Sequence, residues 1–253
     1  MIQTRVIPIL LIKNKGLYKG IRFKNHKYVG DPINAVKIFN EKEVDELVIL
    51  DIEASKKNKS FSFEHIKDIV SEAFMPVAFG GGIWSLETAR QLFHVGIEKI
   101  IINSAAYYKD RLISEIAKIF GSQSVVVSVD VKKGLFGKYS LYSYSGIKKE
   151  KKNLIDHVKN IEEKGAGEII ISNIGCDGLL NGYDLELVKS VSDSVNIPVI
   201  ANCGAGKISN FKAAKRSGAT AVAAGSMFVF QGPHKAVLIK YPDCEELQSI
   251  IGA

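Results

Sequence analysis

Eight short runs of apolar, often β-branched residues recur along the chain, separated by longer stretches in which apolar positions return every three or four residues. The runs are RVIPILLI (5–12), ELVILDI (46–52), PVAFG (76–80), KIIINS (99–104), SVVVSVDV (124–131), EIIISNI (168–174), PVIANC (198–203) and AVAAGS (221–226). They are apolar at consecutive positions, the pattern of strands covered on both faces of a parallel sheet. The stretches between them carry helix signals. Asp31-Pro32 sets an N-cap before a proline at the first helical position and opens INAVKIFNEKEV. Ser85 precedes LETARQLFHVG, with Gly96 as the stop. NLIDHVKNIEEKGAG, DLELVKSVSDSV and ISNFKAAKRSGA repeat the design. Strands alternating with helices, with no linker between them, predict a single (β/α)8 TIM barrel domain over residues 1–253.

The chain also repeats itself at half length. PVAFGGGI (76–83) matches PVIANCGA (198–205), and INSAAY (102–107) matches AGSMFV (224–229), at one constant offset that sets Gly82 on Gly204 and Ser104 on Ser226. The same offset carries Asp45-Glu46-Leu47 onto Gly167-Glu168-Ile169. A two-fold half-barrel repeat predicts two equivalent sites at opposite edges of the barrel mouth.

Composition narrows the class. With 253 residues, 34 Lys+Arg against 27 Asp+Glu and a net charge of +7, the chain suits a compact soluble domain and excludes collagen-like, disordered and coiled-coil sequences. No apolar run approaches the roughly 20 residues of a membrane helix. The opening MIQTRVIPILLIKNKG lacks a small-residue cleavage site and reads as a strand, so a cytoplasmic protein without a membrane partner is expected. Cys176, Cys203 and Cys244 are too widely spaced for a disulfide framework or a zinc pattern. His26, His65, His94, His157 and His234 are scattered, so neither a metal nor a cofactor is expected; His65 and His94 fall on helices and read as surface or structural histidines. The run Lys148, Lys149, Lys151, Lys152 has no nucleic-acid-binding signature around it and reads as a solvated face. A basic surface also suits anionic small substrates.

The chemistry should lie where the strands end, because barrel active sites form at the strands' C-terminal ends and following loops. Gly80-Gly81-Gly82 follows the third strand and Asn103-Ser104 ends the fourth; Cys203-Gly204-Ala205-Gly206 and Gly225-Ser226 are the second copy. Successive N–H groups with a hydroxyl can cradle a phosphate where glycines let the backbone approach. Each cluster alone reads equally as a tight turn, but their placement at matching strand ends predicts a long substrate with a phosphate at each end. Asp130 stands inside an apolar run, where a carboxylate is costly unless it faces the polar mouth and serves as acid or base; capping or pairing with Lys132 is the alternative. Asp51 ends the second strand in the same way, and Asp177-Gly178 turns the loop after the sixth, holds a substrate hydroxyl, or both. At the other end, Arg5, Glu46, Lys99 and Glu168 begin strands one, two, four and six and can close a ring of alternating charge. For any single pair of these, ordinary salt bridging is the alternative.

Taken together, these residues resemble the HisF family, the cyclase subunit of imidazole glycerol phosphate synthase, over essentially the whole chain. The most specific stretches are Asp45-Glu46-Leu47 with Asp51, Gly80-Gly81-Gly82-Ile83, Ile102-Asn103-Ser104-Ala105-Ala106, Phe120-Gly121-Ser122-Gln123 leading to Asp130, and Asp177-Gly178 with Gly182-Tyr183-Asp184-Leu185-Glu186. The last looks like the cyclase rather than the related isomerase of the same pathway. The resemblance implies a heterodimer with a glutaminase subunit, whose ammonia is added to a bis-phosphorylated ribulosyl formimino compound. The products are imidazole glycerol phosphate and an aminoimidazole carboxamide ribotide. It implies phosphate binding by Gly82, Asn103, Ser104, Gly178, Gly204, Gly225 and Ser226, substrate contacts by Asp51, Asp177 and Lys19, and an ammonia gate at the four-charge ring. Without the resemblance, Lys19 reads as a surface lysine in loop 13–31. The chain itself shows no Cys–His glutaminase machinery.

The family assigns proton transfer to two aspartates across the mouth. One maps onto Asp130; the other position reads Leu11, and the internal repeat shows the same gap by setting Asp130-Val131-Lys132 on Leu11-Ile12-Lys13. Gly175, Cys176, Leu179 and Leu180 stand where the family is mostly polar or charged. An alternative therefore follows: a paralogue that keeps the glutaminase and channel but routes ammonia to another acceptor, such as amidination of a surface-polysaccharide sugar by a separate synthetase. A stand-alone isomerase is disfavoured, because it also needs two acids and has no use for the ring.

Overall fold

In a computed structural model, residues 4–57, 61–232 and 234–251 are described, with the side chains of Lys56, Lys57, Cys244, Ile250 and Ile251 outside that description. The eight barrel strands are β1 (Arg5–Lys13), β2 (Leu47–Asp51), β3 (Val77–Gly80), β4 (Lys99–Ile102), β5 (Val125–Lys133), β6 (Glu168–Asn173), β7 (Val199–Asn202) and β8 (Ala221–Ala224). Each pairs in parallel with the next, and β8 pairs with β1 to close the cylinder. This is the expected (β/α)8 barrel, with strand limits within a residue or two of the apolar runs. The helix signals hold as well. Asp31 accepts from the Asn34 N–H ahead of helix Pro32–Glu41, Ser85 from Thr88 ahead of Leu86–His94, and Asp184 from Leu187 ahead of Leu185–Ser192.

Every second strand residue points into the barrel, and the two sets pack as separate apolar clusters. On β1, Val6, Leu10 and Ile12 join the outer core under the helices, while Ile7 and Ile9 face inward. On β5, Val125, Val127, Val129 and Val131 face outward and Val126 inward. The inner cluster of Ile7, Ile9, Val48, Ile101, Val126, Ile170 and Ile200 is interrupted by the small side chains of Ala78, Ala221 and Ala223. Counting by twos along the same face leads from Arg5, Glu46, Lys99 and Glu168 at the strand starts to Leu11, Leu50, Asn103, Asp130, Ser172 and Asn202 at the mouth.

Loop 13–31 is a β-hairpin, Gly16–Ile21 with Lys24–Gly30, and after β5 the chain returns as a second antiparallel strand, Tyr139–Ser143. The two return strands stand in matching register on the two halves, with Leu11 opposite Tyr18 and Asp130 opposite Tyr142. The first hairpin escapes sequence reading because its turn, Arg22-Phe23, holds both residues at positive φ (53° and 59°) without the Asn-Gly signal such turns favour. Lys148-Lys149 pairs as a short strand behind the second hairpin, exposed as expected.

One buried polar group stands out among the helices. His157, in helix Leu154–Glu163, is 1% exposed, stacks on Tyr107 at 4.4 Å, and has no hydrogen-bond partner on either ring nitrogen. Burial pushes its pKa down to about 4, with Lys152 and Lys164 adding to the effect. The folded state therefore binds fewer protons than the unfolded state between pH 4 and 6.5, so the stability held by neutral His157 is complete above that window and lost as pH falls through it. His157→Phe keeps the ring stack and removes the unpaired nitrogens. Urea unfolding is expected to show a gain of about 1–2 kcal/mol at neutral pH and a flatter decline toward acid; a loss of stability would refute it.

Candidate active site

The mouth layer is built by the inward alternation. β5 delivers Asp130, 6% exposed, and β4 ends next to it at Asn103. The Asn103 Nδ2 donates to Asp130 Oδ2 at 3.2 Å and to the Ser128 carbonyl at 2.9 Å, while the Ser128 hydroxyl donates to Asp130 Oδ1 at 3.2 Å. Burial pushes the Asp130 carboxyl up to about 7, against the Ser128 and Ser172 hydroxyls, and the charge of Asp177 adds to the rise. A carboxyl titrating there can both take and give a proton near neutral pH. On β7, Asn202 Nδ2 donates to Ser172 Oγ at 3.0 Å. The inward-facing polar strand residues of the mouth thus come from β4 to β7. Across the barrel β1 and β2 present Ile9, Leu11 and Leu50 to the same cavity.

The first hairpin folds down over this mouth. The Arg22 N–H donates to the Asp177 carbonyl at 3.0 Å and the Phe23 N–H to Asp177 Oδ2 at 3.0 Å. Gly178, at φ 70°, lies so close beneath that a Cβ there would stand 2.4 Å from the Gly20 carbonyl oxygen. The seated hairpin buries Lys19 to 3% exposure and turns its ammonium into the mouth, where it donates to the Ile9 carbonyl. Burial pushes its pKa down to about 8, opposed by Asp177 and Cys203. Lys19 is therefore a buried mouth group, not the surface lysine its local sequence implies.

Lys19, Asp51, Gly82, Asn103, Ser104, Asp130, Asp177, Gly178, Gly204, Gly225 and Ser226 all line one cavity. Within it their present bonds differ. Asp51 Oδ1 accepts from the Glu53 and Ala54 N–H groups at 2.8 and 3.0 Å, which is a capping role. Ser104 Oγ accepts from the Tyr144 N–H at 2.9 Å and donates to Asn103 Oδ1 at 3.3 Å. Gly204, at φ 110°, must lack a side chain, because a Cβ would sit 2.1 Å from the Gly182 carbonyl oxygen. Sequence reasoning missed Ser172 and Asn202, though both lie at mouth positions that counting by twos along β6 and β7 would have reached. It also missed Trp84, Phe23 and His26, which line the cavity from loops.

At the opposite end the four charges form a closed ring. Arg5 reaches Glu46 at 2.5 Å and Glu168 at 2.8 Å; Lys99 reaches Glu46 at 2.9 Å and Glu168 at 3.3 Å. Both glutamates are buried, so each carboxylate depends on both cations. Among the described residues no group of His, Cys, Asp and Glu could hold a metal ion, and no helix is long and apolar enough to cross a membrane.

Residues 5–234 match the family model described as histidine biosynthesis protein. The chain is 49% identical over 248 residues to a Pseudomonas aeruginosa protein provisionally named imidazole glycerol phosphate synthase subunit hisF2, covering 98% of this chain and 99% of that one. The chain belongs to the HisF family of histidine biosynthesis proteins. A Leptospira borgpetersenii protein, provisionally named imidazole glycerol phosphate synthase subunit HisF, is 44% identical, with 99% of each chain aligned. The subunit HisF of Pyrococcus furiosus is 40% identical over 90% of each.

In this HisF barrel the floor ring is a single electrostatic unit. Arg5→Met leaves two buried glutamates facing Lys99 alone. Guanidinium chloride unfolding is expected to show a loss of about 3 kcal/mol, the scale for breaking a buried ion pair from one side; a change below about 0.5 kcal/mol would show that the four charges act as independent surface pairs.

Proposed function

We propose that this HisF-family barrel is the acceptor-side, cyclase-type subunit of a glutamine-dependent synthase. Ammonia released by a glutaminase subunit docked at the floor enters past Arg5, Glu46, Lys99 and Glu168, crosses the apolar interior and meets its acceptor at the mouth. The acceptor is a bis-phosphorylated ribulosyl formimino compound, converted to imidazole glycerol phosphate and an aminoimidazole carboxamide ribotide. One phosphate lies on Gly82, Asn103 and Ser104; the other lies on Gly178, Gly204, Gly225 and Ser226. Lys19, Asp51 and Asp177 contact the substrate between them, and Asp130 moves the proton. The whole chain acts as one domain in a soluble, cytoplasmic complex. The observation that carries this reading is the convergence of both cradles and Asp130 on one cavity, at the far end of an apolar interior from a closed ring of four charges.

Leu11 favours a second reading. It occupies the repeat position equivalent to Asp130, and neighbouring carboxylates have other work: Asp51 caps a turn and Asp177 holds the hairpin. Two of the relatives carry the provisional names hisF2 and hisF3. On this reading the barrel conducts ammonia to a separate enzyme, for example one that amidinates a surface-polysaccharide sugar.

Purified protein supplied with the formimino ribulosyl compound and ammonium salt separates the two. The cyclase reading expects measurable turnover, slower than that of a two-aspartate cyclase by up to about 10²–10⁴-fold. Leu11→Asp should then raise the rate and Asp130→Asn abolish it. No turnover, together with stimulation of a co-expressed glutaminase, would refute the cyclase reading and leave the conduit. Turnover within about tenfold of a two-aspartate cyclase would refute the conduit.

A further inference from the structure

Read strand by strand, the mouth layer is lopsided. On the inward face β1, β2 and β3 reach Leu11, Leu50 and Gly80 at the mouth; β4 to β7 supply Asn103, Asp130, Ser172 and Asn202; on β8 the same face reaches Gly225. Into the space left by that glycine comes the ammonium of Lys19. A Cβ on Gly225 would stand 2.4 Å from Lys19 Nζ and 3.2 Å from the Ile9 carbonyl oxygen to which the ammonium donates. Ile9 is the β1 residue immediately below Leu11 on the inward face. The lysine therefore reaches the β1 side of the mouth, which lies four strands from Asp130 in either direction around the closed sheet.

We infer that Lys19 is the second proton-transfer group of this barrel, working across the mouth from Asp130 in the place where the fold presents Leu11. The inference rests on the cyclase reading above. It goes beyond substrate contact, because it makes the ammonium a donor that is consumed and restored in each turnover. When ammonia adds to the acceptor's carbonyl carbon, the new N–C bond forms and the C=O π pair moves to oxygen. That oxygen takes a proton from the Lys19 ammonium, and the cationic nitrogen gives one to the Asp130 carboxylate, leaving a neutral carbinolamine, a neutral amine and a carboxylic acid. In the dehydration that follows, Asp130 returns its proton to the leaving hydroxyl, which departs as water. Lys19 takes the nitrogen's proton as the imine forms, and both groups are back in their starting states.

The surroundings keep both groups titratable near neutrality. Lys19 is faced by Asp177 from the loop after β6 and Cys203 from the end of β7, with uncharged Gly225 on β8, the Ile9 carbonyl on β1, and His26 and exposed Lys27 on its own hairpin. Asp130 is faced by Asn103, Ser128, Ser172, Asp177, Cys203, Tyr107 and its strand partner Tyr142. The step needs Asp130 ionised and Lys19 protonated. Activity should therefore rise through about 7 and fall above about 8.

The test is the pH profile of kcat with the formimino ribulosyl compound at a constant concentration of free ammonia, in wild type, Lys19→Arg, Leu11→Asp and the double variant. Arginine keeps the positive charge but does not release its proton in this range. Expected are a bell-shaped profile for wild type and, for Lys19→Arg, a fall in kcat of about 10²-fold or more with KM changed only a few-fold and the alkaline limb gone. Leu11→Asp should restore turnover to the Lys19→Arg protein, which also shows that the single variant is folded. If Lys19→Arg keeps kcat and the alkaline limb, or loses only KM, Lys19 is a counter-cation for the substrate and the inference is wrong while the cyclase reading stands. If Leu11→Asp leaves the Lys19→Arg protein inactive, the two positions do not share a role, and the inference is again wrong. Wild type without turnover would instead overturn the cyclase reading, and with it the inference.

Discussion

Closing eight parallel strands into a cylinder forces alternate residues to the inside, and nearly everything specific about this molecule follows from which residues occupy those alternate places. Along β1 the inward series is Arg5, Ile7, Ile9, Leu11; along β5 it is Val126, Ser128, Asp130; along β6 it is Glu168, Ile170, Ser172. Over the whole cylinder, charge sits at the starts of β1, β2, β4 and β6, hydrocarbon in the middle and polar groups at the ends of β4 to β7. A shift of one residue in β2, β5 or β6 would send Glu46, Asp130 or Glu168 out of the interior and into the helix layer, away from its present partners. The closed register therefore fixes floor, interior and mouth together.

The same alternation explains why Asp130 is a poised group and not merely a buried one. Its neighbours on the inward face are Ser128, Asn103 and Ser172, which bond its oxygens without neutralising them. Their hydrogen bonds partly offset desolvation, so the carboxyl titrates near 7 instead of remaining an acid at all working pH values. Lys19 arrives by a different route, on a hairpin that pairs with β1 outside the eight-strand cylinder, and its burial depends on two backbone N–H groups gripping Asp177. The cation is thus conditional on the hairpin being seated, whereas the carboxylate is permanent.

The apolar runs, caps and half-length repeat carried the barrel, its strand limits and the glycines, Asn103, Ser104, Asp130 and Asp177 that meet in the cavity, because each lies at or just past a strand end; Lys19 came only from the family resemblance. What escaped depends on contacts between distant segments. The hairpin over the mouth was hidden by the turn residues Arg22 and Phe23, whose left-handed backbone is imposed by the grip on Asp177 rather than by local preference. The burial of Lys19 followed from that hairpin, and the capping role of Asp51 from the path of the loop after β2. His157 looked unremarkable in sequence; only the packing of its helix against Tyr107 shows a histidine with both nitrogens unpaired.

The two classes of mouth residue also differ in how easily they can be lost. The glycine turns at the mouth are backbone, and Gly178 and Gly204 are held to glycine by carbonyl oxygens that a Cβ would strike. Any chain that keeps the fold keeps those turns. Position 11 is a single side chain at the end of an apolar column, where leucine packs against the inner cluster of Ile9 and Val48 and leaves no buried polar group unpaired. On β1 and β2 the inward residues nearest to it, Ile9, Val48 and Leu50, are hydrocarbon and supply an aspartate no partner. Leucine is thus the choice that folding favours, and an acid the choice that two-aspartate chemistry would require. A barrel released from the second demand, or meeting it with a lysine from a neighbouring hairpin, would drift to the residue seen here without disturbing the glycine turns of the mouth.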